Sequence, residues 1–476
     1  MTKSSSLSPP LPVSLSPSEI GSDSGTDTPT LHPIGVARRS FLRIGAAGLL
    51  GLGLPQLLEL ESRARAAGPA QARRPRADSV ILVWLTGGPS TIDMWDMKPD
   101  APDDIRGEFK PIDTRAEEIR ICEHLPRVAG VMDRCTVVRS LAHTIPEHGQ
   151  AVTFMTTGNR PTPVLAYPAL GSLVARLLPP NRGTPAYVSF RDPGRVGSFA
   201  GYLGPAYDPF DLEVSLVGVN PPEAAVDTRG VTLPDGFTLD QLEDRDALRR
   251  SFDRAFDAVD RKADLVDGLG AFHSQAIDIL RSKRTREALD LSRESAGVRD
   301  RYGQTLLGQG CLAARRLVEA GVRFVTVVAT GLPGGPNWDT HGQNFVDLRS
   351  ILLPALDQTF SALIEDLDAR GLLERTIVYC AGEFGRTPRI NKHAGRDHWA
   401  RSMAVVLAGG GFRRGYVEGS TDPEGIAPAG EPRTPDDIAA TIVDLLGIDP
   451  HQELQTPSSR PVQLFREGHV LSDLVV

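Results

Sequence analysis

Glu374–Trp399 reads ERTIVYCAGEFGRTPRINKHAGRDHW, and the character of this stretch changes halfway along. Its first part, Thr376-Ile377-Val378-Tyr379-Cys380-Ala381, is β-branched, aromatic and apolar without alternation, the pattern of a strand buried on both faces of a parallel sheet. It breaks into Gly382-Glu383-Phe384-Gly385-Arg386, and the loop then carries His393, Arg396, Asp397 and His398. Ionisable groups at this density beyond a buried strand point to an open α/β sheet, where ligands gather at the carboxyl ends of the strands. A solvated charged loop is the plain alternative.

Outward from this stretch, other apolar runs end the same way. Ser79–Leu85 leads into Thr86-Gly87-Gly88-Pro89-Ser90-Thr91-Ile92-Asp93, where glycines let the backbone approach a ligand. Ser90 and Asp93 there offer an oxygen nucleophile or a metal ligand, with Ser90 as a turn cap the alternative. Cys135–Leu141 runs into His143-Thr144-Ile145-Pro146-Glu147-His148, then a helix predicted over Gln150–Thr157 and closed by Gly158. A helix start beyond a strand reads as an anion site, flanked here by His143 and His148. Pro185–Phe190 is a further predicted strand. Val322–Thr330 ends in a loop holding Asp339 and His341, two residues apart and able in extended chain to turn to one side and share a cation. Ser402–Ala408 is the last strand of this kind.

Between the strands, Phe345–Arg370 is predicted helical, with Leu352, Leu353, Leu356, Phe360, Leu363 and Leu367 as its core stripe and Asp357 and Asp366 on its surface. Thr434-Pro435-Asp436-Asp437 is a helix start with Thr434 as cap. Gly197–Gly236 is rich in Gly, Pro, Asp and Tyr and reads as an irregular insertion, a candidate lid. Leu239–Ala320 reads as largely helical, with Arg245, Arg249, Arg250 and Arg254 on a solvated face. His451 and His469 read as structural or exposed.

A chain of 476 residues with 40% hydrophobic side chains can bury a sizeable core. Its 52 Lys and Arg against 60 Asp and Glu, a net charge of -8, exclude nucleic-acid binding by broad phosphate neutralisation. The four cysteines, Cys122, Cys135, Cys311 and Cys380, form no CxxC pair, so neither a zinc ribbon nor a disulfide framework is indicated. Cys122 and Cys135 are left as a pair or as two buried thiols. No GxGxxG follows a strand and no CxxCH occurs, which disfavours an oxidoreductase with a nucleotide or haem cofactor.

Residues 1–34, dominated by Ser, Pro, Thr and Gly, are predicted to be a disordered leader. Residues 35–66 contain Arg38-Arg39-Ser40-Phe41-Leu42-Arg43, the apolar run Ile44–Leu58 and Ala64-Arg65-Ala66, which match a twin-arginine signal peptide. The expected destination is periplasmic or extracellular, with the twin-arginine translocation machinery as a partner. The apolar run is too short and too rich in small residues for a stable span, so none is expected in the mature chain.

The candidate groups therefore sit after successive strands: Asp339 and His341, then Glu383 and Arg386, then Asp397 and His398. Carboxylates and imidazoles without thiolates suit zinc, manganese, calcium or iron without choosing among them. An arginine among them suits an oxyanion.

The twin-arginine leader, GGPSTIDMWD, HTIPEHGQAVTFMTTG, WDTHGQNF, GEFGRTPRIN and GRDHW together resemble the exported bacterial proteins of domain-of-unknown-function family fifteen-oh-one, itself similar to the alkaline phosphatase and sulfatase superfamily. The resemblance covers about Ser79 to Leu446. It implies an α/β domain over 67–476 with an alkaline-phosphatase-like, doubly wound, mostly parallel sheet, helices on both faces and the irregular and helical insertion at about 197–320. It also implies metal-assisted hydrolysis of an anionic ester, with sulfated or phosphorylated glycans as candidate substrates. Asp339, His341 and His398 fall where that superfamily holds one metal, and Glu383 where it holds a second; the divalent cation, zinc, calcium or manganese, is not distinguished. The chain departs from the pattern at three places: Phe384 replaces a ligand, the first strand ends without its Asp, and His148 stands at the nucleophile position. The resulting candidate roles are catalysis by His148, Arg386 and Ser90, and metal binding by Asp339, His341, Glu383 and His398. A binding protein that keeps the fold without turnover is the second reading.

Overall fold

The computed structural model describes residues 74–476 apart from 179, 182, 191–198, 218–222, 228–240, 242–281 and 330–334. The predicted leader, the signal peptide and the arginines at 245, 249, 250 and 254 lie outside the described residues.

Each long apolar run forms a strand of one sheet, which three shorter or more polar segments, Phe210–Val217, Glu223–Asp227 and Tyr416–Glu418, complete. In chain order these are β1 (Ser79–Leu85), β2 (Cys135–Leu141), β3 (Tyr187–Phe190), β4 (Phe210–Val217), β5 (Glu223–Asp227), β6 (Phe324–Ala329), β7 (Thr376–Ala381), β8 (Met403–Ala408) and β9 (Tyr416–Glu418). The sheet order is β9-β2-β8-β7-β1-β6-β3-β4-β5. β1 lies parallel between β6 and β7, β3 runs parallel to β6 and β4, and β9 is parallel to β2. β8 is antiparallel to both β2 and β7, and β5 to β4. With β8 reversed, β2 points the same way as β1, β6 and β7, so the loops leaving these four strands open on one edge.

The helices cover both faces, which is what a strand without polar alternation requires. On one face Ile81, Val83 and Leu85 pack with Leu312 and Leu317, and with Leu353, Leu356 and Phe360. On the other, Val80, Leu82 and Trp84 pack with Met155, Leu170, Leu173, Ile438 and Ile442. The helices involved are α1 (His148–Thr157), α2 (Leu170–Leu177), α3 (Leu306–Glu319), α4 (Leu353–Ala369) and α5 (Pro435–Leu445). The architecture is therefore α/β and doubly wound about a mixed, mostly parallel sheet.

Local differences from the sequence reading have local causes. The helix expected over Phe345–Arg370 is interrupted by a π-turn at Leu348–Leu352, just before Pro354, which has no N–H to give to the preceding turn. Asp357 and Asp366 are not surface acids. Asp357 is buried and accepts the N–H groups of Arg127 (2.9 Å) and Val128 (2.8 Å), while Asp366 is buried against Tyr302, Arg315 and Arg370. Part of the expected irregular insertion is sheet: β4 and β5 extend its edge, and the alternation Phe210, Leu212, Val214, Leu216 is the edge-strand signal that flanking glycines and prolines obscured. Lys283–Leu289, Ala296–Tyr302 and α3 are helical, as expected for the later part of that stretch. All four cysteines are buried and free. No helix among the described residues is long and apolar enough to cross a membrane.

Candidate metal centre at the strand ends

The loop after β1 is where the edge is most tightly built. Gly87 has φ +114°, and a side chain there would bring its Cβ within 2.4 Å of the Asp339 nitrogen, so only glycine lets the β1 and β6 loops meet. Below this contact, Asp93 is buried and pairs with the buried guanidinium of Arg396 through Nε and Nη2, both at 2.8 Å. Ser90 Oγ (2.6 Å) and Asn344 Nδ2 (2.8 Å) also donate to Asp93. Ser90 and Asp93, expected to offer a nucleophile or a metal ligand, thus bond to each other. Ser90 is fully buried and bonded to Asp93 rather than to any candidate ligand, and Asp93 is committed to tying the β1, β6 and β7 loops together.

Arg386, expected to face an oxyanion, lies beside Asp339. A two-stranded ribbon sets Arg386 opposite His398, so both side chains leave on one side, toward Asp339. The Arg386 guanidinium is buried and donates to the carbonyls of Gly87, Gly88 (2.7 Å), Trp338 (3.2 Å) and Arg396 (3.1 Å) and to Asp339 Oδ1 (2.5 Å). These bonds tie the guanidinium to Asp339 and to the backbone of the β1, β6 and β7 loops.

Around Asp339 three imidazoles converge. His398 Nε2 lies 3.1 Å from Asp339 Oδ1, His341 Nε2 lies 3.1 Å from the same oxygen, and His148 Nε2 lies 3.4 Å from Oδ2. His341 Nε2 and His398 Nε2 are 2.9 Å apart. The other nitrogen of each ring is held from outside. His398 Nδ1 meets the Pro146 carbonyl at 2.9 Å, His341 Nδ1 meets Asp397 Oδ1 at 2.7 Å, and His148 Nδ1 meets Glu383 Oε1 at 2.7 Å. A carbonyl only accepts, so Nδ1 of His398 carries its proton; the Asp397 carboxylate draws the same tautomer from His341. Glu383 Oε1 already accepts Gly87 N–H at 2.9 Å, which leaves His148 Nδ1 as a donor too. Three Nε2 lone pairs thus face inward around one carboxylate.

The electrostatics agree with that crowding. Burial works to raise the Asp339 pKa, but Arg386 and the neighbouring imidazoles outweigh it and hold the carboxyl below its usual range. The hydrogen bond to Glu383 raises His148, while burial lowers His398. The buried ring of Phe384 walls one side, 4.3 Å from the His398 centroid and 4.9 Å from that of His148.

Two neutral imidazole lone pairs 2.9 Å apart repel unless one ring takes a second proton or a cation lies between them. His148, Asp339 and His398 bring donor atoms within 4.8 Å of one another, near enough for one cation to draw them together. His341 adjoins this trio through Asp339 Oδ1 and His398 Nε2. The residues fit a divalent cation by donor type and by outer support of each imidazole. Glu383, expected as a ligand, is buried with Oε1 shared between His148 and Gly87 and Oε2 without a partner.

His143, the other histidine of the β2 loop, is structural. Its Nε2 donates to the Glu383 carbonyl (2.7 Å), its Nδ1 accepts Ile145 N–H (3.2 Å), and burial pushes its pKa down to about 4. The anion site expected at the start of α1 is filled from within, because Glu147 accepts the N–H groups of Gly149 (2.8 Å) and Gln150 (2.9 Å). Asp397, a candidate group without an assigned role, and the Pro146 carbonyl, which was not among the candidates, are the outer supports of His341 and His398. The sequence did place Asp397 beside His398, but nothing in it distinguishes a ligand from the group that orients one.

No curated protein matches the sequence. Solved structures similar to this chain include three from bacteria. One is a Bacteroides thetaiotaomicron sulfatase of a core genetic locus for glycosaminoglycan metabolism, 12% identical over 78% of this chain and 73% of that one, TM-score 0.37. Another is the PsFucS1 sulfatase from Pseudoalteromonas sp., 11% identical over 82% and 72%, TM-score 0.33. The third is the lipoteichoic acid synthase LtaP from Listeria monocytogenes, 8% identical over 84% and 78%, TM-score 0.35. At such scores the likeness adds nothing to the architecture described above. A profile of the family described as "Protein of unknown function (DUF1501)" matches residues 77–475, which take in all nine strands of the sheet and the whole imidazole cluster, and the chain belongs to that family.

Proposed function

We propose that this protein is an exported, metal-dependent hydrolase of sulfate or phosphate esters, with sulfated or phosphorylated glycans as its substrate class. The observation that carries the reading is the convergence of Nε2 of His341 and His398 on Asp339 with both Nδ1 atoms held from outside. Such a preorganised donor set is what a hydrolytic metal centre requires. The resemblance of the family's motifs to the phosphatase and sulfatase superfamily supports the ester chemistry, and the twin-arginine motif at Arg38 and Arg39 supports export.

In this reading Asp339, His341 and His398 hold the cation, which when bound contributes Lewis acidity toward an ester oxygen. Arg386 holds Asp339 ionised and in place, and Asp397 and the Pro146 carbonyl fix the tautomers of His341 and His398. The buried Glu383 carboxylate holds the half-exposed His148 ring in place beside the cluster. Phe384 keeps water from one side of the cluster.

The non-catalytic binding protein remains the second reading, because His148 occupies the expected nucleophile position and Ser90, the hydroxyl nearest in the sequence pattern, is tied to Asp93. Metal analysis of the purified protein with a panel of aryl sulfate and phosphate esters separates the two. Stoichiometric metal with turnover that is lost in His398→Ala supports the hydrolase; stoichiometric metal with no ester cleaved supports the binding protein.

A further inference from the structure

We propose that His148 is a ligand of the cation and neither the nucleophile nor the proton carrier, that Glu383 is the outer group orienting it, and that the resulting donor set selects a zinc-class transition ion over calcium. This rests on the metal-binding half of the reading above and not on its ester chemistry.

The two nitrogens of His148 have different commitments. Nδ1 is bound to Glu383 Oε1 at 2.7 Å, and that oxygen also takes the Gly87 N–H at 2.9 Å, so the ring is held from the β1 loop and the β7 loop at once. The free nitrogen, Nε2, does not look out toward an incoming ester; it faces Asp339 Oδ2 at 3.4 Å. Among the described residues, the group whose donor atoms converge within 4.8 Å is His148, Asp339 and His398; Glu383 is not in it, and His341 adjoins it through Asp339 Oδ1 and His398 Nε2. Asp339 is therefore shared, Oδ1 serving the His341 and His398 side and Oδ2 the His148 side.

The three histidines also follow one construction. Each presents Nε2 inward and gives Nδ1–H outward, to Glu383, Asp397 or the Pro146 carbonyl. A metal-bound imidazole needs that outer acceptor to fix its tautomer and ring orientation. A histidine nucleophile would need instead an unobstructed lone pair. Two converging imidazole nitrogens and one carboxylate, with the His341 imidazole adjoining them, are poor company for calcium, which takes six to eight oxygens, and good company for zinc and its neighbours.

The test is a titration of metal-stripped protein with Co(II), read by its visible d–d absorption, with calcium in excess as competitor. Wild type should bind one equivalent with an intense band of low coordination number that calcium does not bleach. His148→Ala and His148→Gln should each lose at least about 100-fold in affinity, and Glu383→Gln should lose about 10- to 100-fold, as outer-shell changes do. His148 is partly exposed, and matched far-UV circular dichroism of the stripped variants guards against misfolding as the cause; His148→Gln keeps a polar side chain should the alanine variant fail that check.

Three results would overturn the proposal. The first is wild-type cobalt affinity and spectrum in the His148 variants. The second is a loss in Glu383→Gln as deep as in His148→Ala, which would make Glu383 the ligand. The third is a phosphoryl or sulfuryl adduct on His148 after incubation with an aryl ester. If the cobalt ranking holds while no ester is cleaved, this inference stands and the hydrolase reading falls; turnover with a metal set that excludes His148 sinks this inference and leaves the hydrolase reading standing.

Discussion

Arg396 carries a full positive charge to a position without measurable exposure, and it is stable there because Asp93 meets it with two parallel 2.8 Å bonds while the Ile105 carbonyl, also at 2.8 Å, takes a further N–H. Removing one member of such a pair strands the other charge, so Asp93→Ala should cost about 3 to 5 kcal/mol, read as a shifted urea midpoint at unchanged slope. A loss below about 1 kcal/mol would mean that the pair is not holding the loops. His143 gives a second prediction, with a sign fixed by linkage. Its folded pKa of about 4 lies below the unfolded value of about 6.5, so the folded protein resists protonation of this ring. The associated stability is complete above pH 6.5 and is lost as pH falls toward 4, by up to roughly 3 kcal/mol. His143→Gln, which keeps a donor for the Glu383 carbonyl, should flatten that limb relative to wild type in denaturant titrations across this window. An undiminished limb would assign the acid sensitivity to other groups.

At the scale of elements, six of the nine strands were legible because each is a short continuous apolar run ending in glycine or polar residues, whereas Phe210–Val217, Glu223–Asp227 and Tyr416–Glu418 alternate with polar residues or are too short to stand out. The loops were legible as a set, since Asp339, His341, Glu383 and His398 all fall just beyond such runs. Their roles were not. Whether a carboxylate ligates or orients depends on which ring nitrogen it meets, and that is settled by tautomer and distance, as with Glu383 and His148. The acids of α4 went astray for a related reason: Asp357 and Asp366 sit on a helix that also carries a good apolar stripe, and spacing alone cannot tell that other elements close over them. Asp357 there acts as a cap for a separate helix, Pro126–Ala129, by accepting two of its N–H groups. Asp357→Ala should leave both donors buried and cost about 1 to 3 kcal/mol, against a few tenths for replacement of an exposed acid on the same helix such as Glu365. Equal effects in urea unfolding of the two variants would return Asp357 to the surface reading.

On the scale of the whole molecule, the cation would be held by groups that leave β2, β6 and β7 separately and meet only when the sheet is assembled. A cation bound that way favours the folded state alone, and stabilises it by RT ln(1 + [M]/Kd), about 2.7 kcal/mol at a hundredfold excess over Kd. The thiols provide the probe. Cys135 opens β2 at the edge of the sheet away from the site and Cys380 stands one residue before the end of β7 that carries it; both are buried, and burial pushes Cys135 up to about 12 and Cys380 higher still. Neither can react as a thiolate at pH 8 until the sheet opens. Labelling should therefore be slow in the stripped protein and about a hundredfold slower once zinc is present at a hundred times Kd, provided opening and closing outpace the reagent. In His398→Ala, whose ring is partly exposed in the native state, the stripped protein should label at close to the wild-type rate while the protection by zinc disappears. Zinc that protects the variant as well as the wild type would place the binding elsewhere on the chain.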